Sequence, residues 1–156
     1  MDTLRCLILA CGNTLRSDDG VGPHLAAWAE ERFRDSPAIR VISCQQWTPD
    51  LAEDIAWAAS VLFIDCSIEA APGNVALTEV NPAATESKAT HHASAAQLLA
   101  LARDLYSAQP THSAQLTVGA GSIELGETFS KPVHDAIPCA CELLQRTVNA
   151  WRSENG

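Results

Sequence analysis

The sequence predicts an α/β protein, a three-layer α/β/α sandwich around a mostly parallel, twisted sheet of about five strands. Three observations carry this. Short runs that are apolar on both faces, such as residues 60–66 (SVLFIDC), alternate with segments whose apolar residues recur at helical spacing. No linker, repeat or shift in composition divides the 156 residues, so a single domain is expected over 1–156. Hydrophobic residues make up 47% and charged residues 19%, which excludes a disordered chain and suffices for a core without disulfide staples.

In order, residues 4–10 (LRCLILA) read as a first buried strand. Residues 12–22 (GNTLRSDDGVG) form a loop rich in turn formers, and a helix follows with Val21, Leu25, Trp28 and Phe33 on one face. Residues 39–44 (IRVISC) are a second strand. Thr48-Pro49 reads as an N-cap with proline at the first helical position, opening a helix to about residue 58. Residues 60–66 form the third strand, and residues 74–80, after the Pro72-Gly73 turn, a fourth at an edge. Ser94-Ala95-Ala96-Gln97 is a capping box opening a helix to about residue 106. Residues 115–119 (QLTVG) are the last interior strand. Ser130 caps the final helix, whose Val133, Ile137, Ala140, Leu144, Val148 and Trp151 share a face, with a bend expected at Pro138.

Lys plus Arg number 10 against 19 Asp plus Glu, a formal charge of −9. A surface of that sign repels phosphate, which argues against nucleic acid and anionic membranes as partners. No apolar stretch approaches the roughly 20 residues that a bilayer requires. The start, MDTLR, lacks the basic-then-apolar pattern of a secretory signal, so a cytoplasmic location is expected. There the six cysteines, at 6, 11, 44, 66, 139 and 141, would be reduced, and most read as small core residues.

In open α/β sheets ligands bind beyond the carboxyl ends of the strands. Asn13, Asp18 and Asp19 follow the first strand, Cys44, Gln45 and Gln46 the second, and Asp65 ends the third, while His91 and His92 precede a helix. Two acids and a histidine, distant in sequence, are thereby expected to converge. They form a mixed ligand set for a divalent transition ion, with positions left open for water or substrate. Simpler roles exist: Asp18 as an N-cap, Asp19 as a favourable charge at a helix start, His91 and His92 as surface residues. Asp65 is harder to explain away, because an ionised acid closing a strand of Val, Leu, Phe and Ile is costly unless paired or metal-bound. His24, His112 and His134 read as surface or helix-face residues.

The glycine-containing loop is no phosphate cradle: it lacks GxGxxG and GK[ST], and its acids oppose a phosphate. No GxSxG elbow is present. A phospho-acceptor receiver domain is imitated by the paired acids, Asp65 and Lys131-Pro132, but Lys131 does not closely follow residues 115–119. The receiver stands as a third reading.

Residues 9–22 (LACGNTLRSDDGVG) resemble the opening signature of the hydrogenase maturation endopeptidases, a strand, a GxGN-like turn and a D-[DE]-G-x-G helix start. Residues 63–66 (FIDC) resemble the family's second signature, Thr90-His91 ahead of Leu98-Leu99 its histidine segment, and residues 118–130 its C-terminal portion. The resemblance implies an α/β/α sandwich and a processing peptidase. Such an enzyme removes a short C-terminal extension from the precursor of a nickel–iron hydrogenase large subunit after nickel insertion. It also implies that Asp19, Asp65 and His91 bind the nickel and carry catalysis, with His92 as alternate ligand. The nickel would arrive with the precursor rather than reside in the protein. Residues 45–48 (QQWT) replace a glycine-rich stretch of the family, and Asn13, Gln46 and Thr48 are candidate substrate-binding residues. The alternative function is a non-catalytic, metal-dependent docking or chaperone module for a metalloenzyme precursor. Cys11, Cys44 and Cys66 could serve nickel as soft auxiliary ligands. Buried packing is the expected role, since three ligands are already assigned.

Overall fold

The computed structural model describes residues 4–83 and 93–154. The elements run β1 (Cys6–Cys11), a 3-10 turn (Ser17–Gly20), α1 (Val21–Arg32), β2 (Ile39–Cys44), α2 (Leu51–Trp57), β3 (Ser60–Ser67), β4 (Val75–Glu79), α3 (Ala95–Tyr106), β5 (His112–Gly119) and α4 (Lys131–Ser153). One five-stranded sheet has the order β2-β1-β3-β5-β4. β1 is parallel to both β2 and β3, and β3 to β5; β4 lies antiparallel at the edge beside β5.

The period-2 alternation of strand side chains divides the core into two layers. Cys6, Ile8 and Ala10 of β1 with Leu62, Ile64 and Cys66 of β3 face α1 and α4, meeting Leu25, Ala29, Ala140 and Leu144. Leu7, Leu9 and Cys11 with Val61 and Phe63 face α2 and α3, meeting Ile55, Leu98 and Ala102. Both faces of β1 and β3 are therefore covered, which is why their sequences read as unbroken apolar runs. α1 can lie against the sheet because residue 22 is glycine. A Cβ there would come within 2.3 Å of the Cys11 carbonyl oxygen and 3.3 Å of that of Ile64.

Two local expectations change. α2 begins at Leu51, not beside Pro49: the Thr48 hydroxyl turns to the Asp50 carboxylate, and Leu51 N–H and Ala52 N–H close turns onto the carbonyls of Thr48 and Pro49, at 3.1 Å each. Ser130 occupies the N-cap position of α4 but makes no capping bond, because its hydroxyl donates to Asp18 at 2.7 Å. α4 runs as a single helix through Pro138, whose ring lies on the exposed side. The capping box of α3 forms as expected, with Gln97 N–H on the Ser94 hydroxyl at 3.1 Å and Ser94 N–H on the Gln97 side chain at 2.8 Å. Among the described residues no helix is long and apolar enough to cross a membrane.

Candidate active site

A cavity of about 380 Å³ opens at the carboxyl edge of the sheet, on the α2–α3 side. Its lining includes Cys11 from β1, Asp19 from the 3-10 turn, Gln45, Gln46 and Trp47 after β2, Asp65 from β3, Ala93–Ala95 at the start of α3 and Gln115 from β5. Strands β1, β3 and β5, the segments after β1 and β2, and the start of α3 thus contribute to one depression, in keeping with the carboxyl-end rule for parallel sheets.

The two acids are held by backbone. The N–H of Asn13 donates to Asp19 Oδ2 at 2.7 Å, so the turn after β1 aims that carboxylate. Gly12 makes this turn possible: its φ is +152°, and a Cβ would lie 2.0 Å from the carbonyl oxygen of Asp19. Asp65 Oδ1 accepts from the N–H of Cys66 at 2.7 Å. Burial pushes the Asp65 carboxyl above its ordinary range; the Cys66 N–H and Cys11 thiol pull it back, and the negative charge of Asp19 adds to the upward push. The thiolate form is disfavoured at the neighbouring cysteines. Burial, then the charges of Asp65 and Asp19, raise Cys11, and burial with the nearby acids pushes Cys66 up to about 12.

Asp18 does not act as an N-cap. It is fully buried. Its carboxylate accepts from Gly121 N–H, Ser130 N–H and the Ser130 hydroxyl at 2.7 Å each, and from Ser122 N–H at 2.9 Å. Burial alone would raise its pKa, but the hydrogen bonds from Ser130, Ser122 and Gly121 outweigh it and hold the group below the usual carboxylate range. Asp18 is therefore a clasp between the loops that follow β1 and β5. The sequence hides this role, because its partners lie more than a hundred residues away.

The remaining candidates divide. Gln46 lines the cavity, and Gln45, Trp47 and Gln115 join it. Gln115 could have been found from strand parity, since it shares a face with Phe63 and Asp65 across the β3–β5 register. Asn13 contributes its backbone N–H to Asp19 and its side-chain oxygen to Leu15 N–H at 2.9 Å, while Thr48 binds Asp50; neither lines the cavity. His91 and His92 lie outside the described residues, which resume at Ala93 in the cavity wall. Among the described residues no three His, Cys, Asp or Glu side chains are grouped to hold a metal ion. Cys11 and Cys66 are buried and Cys44 partly so, its thiol on the Ala10 carbonyl at 3.7 Å. His24 stands edge-on to Phe129, His112 stacks on Trp151, and His134 is exposed beside Asp135. Lys131, the lysine a receiver would need near Asp65, is exposed and pairs with Asp135 at 3.0 Å. The antiparallel β4 at the sheet edge also departs from the all-parallel receiver arrangement.

No protein-family model matches the chain, and no curated protein matches it. Solved structures do. The hydrogenase maturating endopeptidase HybD from E. coli superposes with a TM-score of 0.75 at 19% identity, over 94% of this chain and 93% of that one. The [NiFe] hydrogenase maturation protease HybD from Thermococcus kodakarensis gives 0.71 at 23% identity, over 92% and 99%. HycI, a [NiFe] hydrogenase maturation protease from the same organism, gives 0.69 at 19%, over 92% of each chain. With TM-scores of 0.69 to 0.75 over more than nine-tenths of each chain, this chain has the fold of the hydrogenase maturation endopeptidases.

Proposed function

We propose that the protein is a metal-guided endopeptidase that removes a C-terminal extension from the precursor of a nickel–iron hydrogenase large subunit after nickel insertion. One observation carries the reading: Asp19 and Asp65 bring two carboxylates to a single cavity in a fold shared with named maturation endopeptidases. The substrate is the nickel-bearing precursor. Its nickel would be bridged by Asp19, Asp65 and His91, with His92 as the alternate third ligand, and the whole chain would work as one cytoplasmic domain.

The chemistry follows from the donor set. A divalent ion held by two carboxylates and an imidazole keeps open positions at which it can polarise a peptide carbonyl or acidify a water. Asn13 N–H and Cys66 N–H fix one oxygen of each acid, leaving the other oxygen free to meet the ion. The carboxamides of Gln45, Gln46 and Gln115 offer donors and acceptors to a peptide backbone lying in the cavity. No serine or cysteine nucleophile is required, and the raised Cys11 and Cys66 thiols are poor candidates for one.

The test is incubation of nickel-loaded precursor with the protein, followed by intact-mass measurement. Wild type should remove the extension. Asp19→Asn and Asp65→Asn should remain folded and remove none, and His91→Ala should do far more damage than His92→Ala. Full processing by either acid variant would free that acid from the site. Tight binding of the precursor without cleavage would instead assign the chain as a docking module.

A further inference from the structure

The edge that carries the acids also carries the apolar surface. Seven large apolar side chains are exposed among the described residues, and four of them, Leu15, Ile68, Ile123 and Leu125, lie in loops beyond the carboxyl ends of β1, β3 and β5. Leu125 is 79% exposed, Ile68 73% and Leu15 54%. An isolated exposed leucine needs no explanation, but a group on one edge beside a cavity does.

These side chains stand on a tied framework. Ser17 N–H donates to the Gly126 carbonyl at 2.8 Å, Gly126 N–H to the Leu15 carbonyl at 2.9 Å and the Ser17 hydroxyl to the Glu124 carbonyl at 2.8 Å. Ala120 N–H reaches the Ser67 carbonyl at 2.8 Å, joining the β3 loop to the β5 loop. Asp18 fastens the same two loops, those after β1 and β5, from beneath. The framework also continues into the catalytic group. Leu15 N–H donates to the Asn13 side chain, and Asn13 N–H donates to Asp19. Whatever seats on Leu15 and Leu125 is thus registered against the Asp19 carboxylate by an unbroken chain of hydrogen bonds.

The charge says what kind of surface fits. Apart from the buried Asp18, residues 12–20, 67–74 and 120–130 hold the acids Asp19, Glu69, Glu124 and Glu127, with Arg16 as their sole basic residue. An anionic surface carrying a few projecting aliphatic groups is complementary to an apolar patch ringed by Lys and Arg.

We infer that Leu15, Ile68, Ile123 and Leu125 form a docking rim for the folded body of the nickel-bearing precursor, against a basic-rimmed apolar patch beside the root of its extension. This rests on the endopeptidase reading and assigns substrate recognition to residues outside the cavity. The rim holds the precursor's body while the cavity receives its tail, so affinity and bond cleavage are carried by different residues.

The experiment measures steady-state processing of the nickel-loaded precursor by wild type, Leu15→Asp, Leu125→Asp and, as control, Leu105→Asp. Leu105 is 65% exposed near the end of α3, at the opposite edge of the sheet. The two rim variants should raise KM at least about tenfold with kcat within about twofold, and the control should match wild type. Unchanged KM in both rim variants overturns the inference while leaving the endopeptidase reading intact. If wild type cleaves nothing, the endopeptidase reading fails, and calorimetric binding of the same precursor decides the rim separately. Weaker binding by Leu125→Asp than by wild type supports it, and equal binding overturns it. Sedimentation of the free protein covers self-association: a wild-type dimer dissolved by Leu125→Asp would assign the rim to a second copy of this chain and overturn the precursor as its occupant.

Discussion

Asp18 and Asp65 are acids set in opposite ways, and each makes a prediction. Asp18 accepts hydrogen bonds from three backbone N–H groups and a hydroxyl. Asp18→Ala strands those donors and should cost about 3 kcal/mol in urea unfolding at pH 7. Its folded pKa is lowered, so its stabilisation is fully present above the unfolded value of about 3.9 and is lost as pH falls through the folded value. Wild type should therefore lose stability below about pH 4 more steeply than Asp18→Asn does. Asp65 has the reverse sign. Its folded pKa is raised, so ionising it destabilises the fold as pH rises through that value, and the cost persists at neutral pH. Asp65→Asn should be more stable than wild type at pH 7 and inactive, losing at least about a hundredfold in processing, equivalent to about 3 kcal/mol of transition-state stabilisation. A lower melting temperature in that variant would contradict the burial account. Asp65 was legible in the sequence because an acid closing an apolar strand is conspicuous. Asp18 was not: it looks like an N-cap, and only the approach of residues 121–130 gives it its partners. Among the cysteines, the exposed Cys139 should react first with a thiol reagent in the native protein.

At the scale of elements, the entry into α1 and the entry into α3 carry the site. α1 follows directly on the turn that holds Asp19, and it lies close to the sheet only because Gly22 has no Cβ. Gly22→Ala would push the helix off the Cys11 carbonyl and should cost about 2 kcal/mol, with processing reduced because Asp19 moves with the helix. Thermal unfolding and precursor processing together check this. The entry into α3 follows residue 92 and is held by the Ser94 capping box and by Ala93 N–H on the Trp47 carbonyl at 3.1 Å. Ser94→Ala should cost about 1 kcal/mol. Helix and strand identities were readable because period 3.6 and unbroken apolar runs are properties of the chain itself. Two details at helix starts were not. Thr48 and Ser130 have the chemistry of caps, but their hydroxyls find carboxylates instead, one nearby at Asp50 and one distant at Asp18. A cap assigned from sequence assumes that no better acceptor is folded against it.

For the molecule as a whole, an excess of nine negative charges is spread over a protein that, among the described residues, places four of its seven exposed large apolar side chains at one edge. If that edge meets a basic-rimmed partner, KM for processing should rise with ionic strength as the roughly 8 Å screening length at 0.15 M shortens. A KM indifferent to salt would argue against charge complementarity. The sequence by itself determined the α/β class, the order of the five strands and four helices, and the edge on which Asp19 and Asp65 would appear. Each of these depends on periodicity or on the rule that parallel strands present their carboxyl ends together. Tertiary structure decided the strand order β2-β1-β3-β5-β4 and the antiparallel placement of β4. It also set the cavity on the α2–α3 side, gave Asp18 its role as a clasp and tied the loop that carries Leu15 to the loop that carries Leu125. All of these depend on contacts between segments far apart in the chain. Local patterns state what each segment can become, but which loops meet above the sheet is fixed only when the strands pair and the helices cover their two faces.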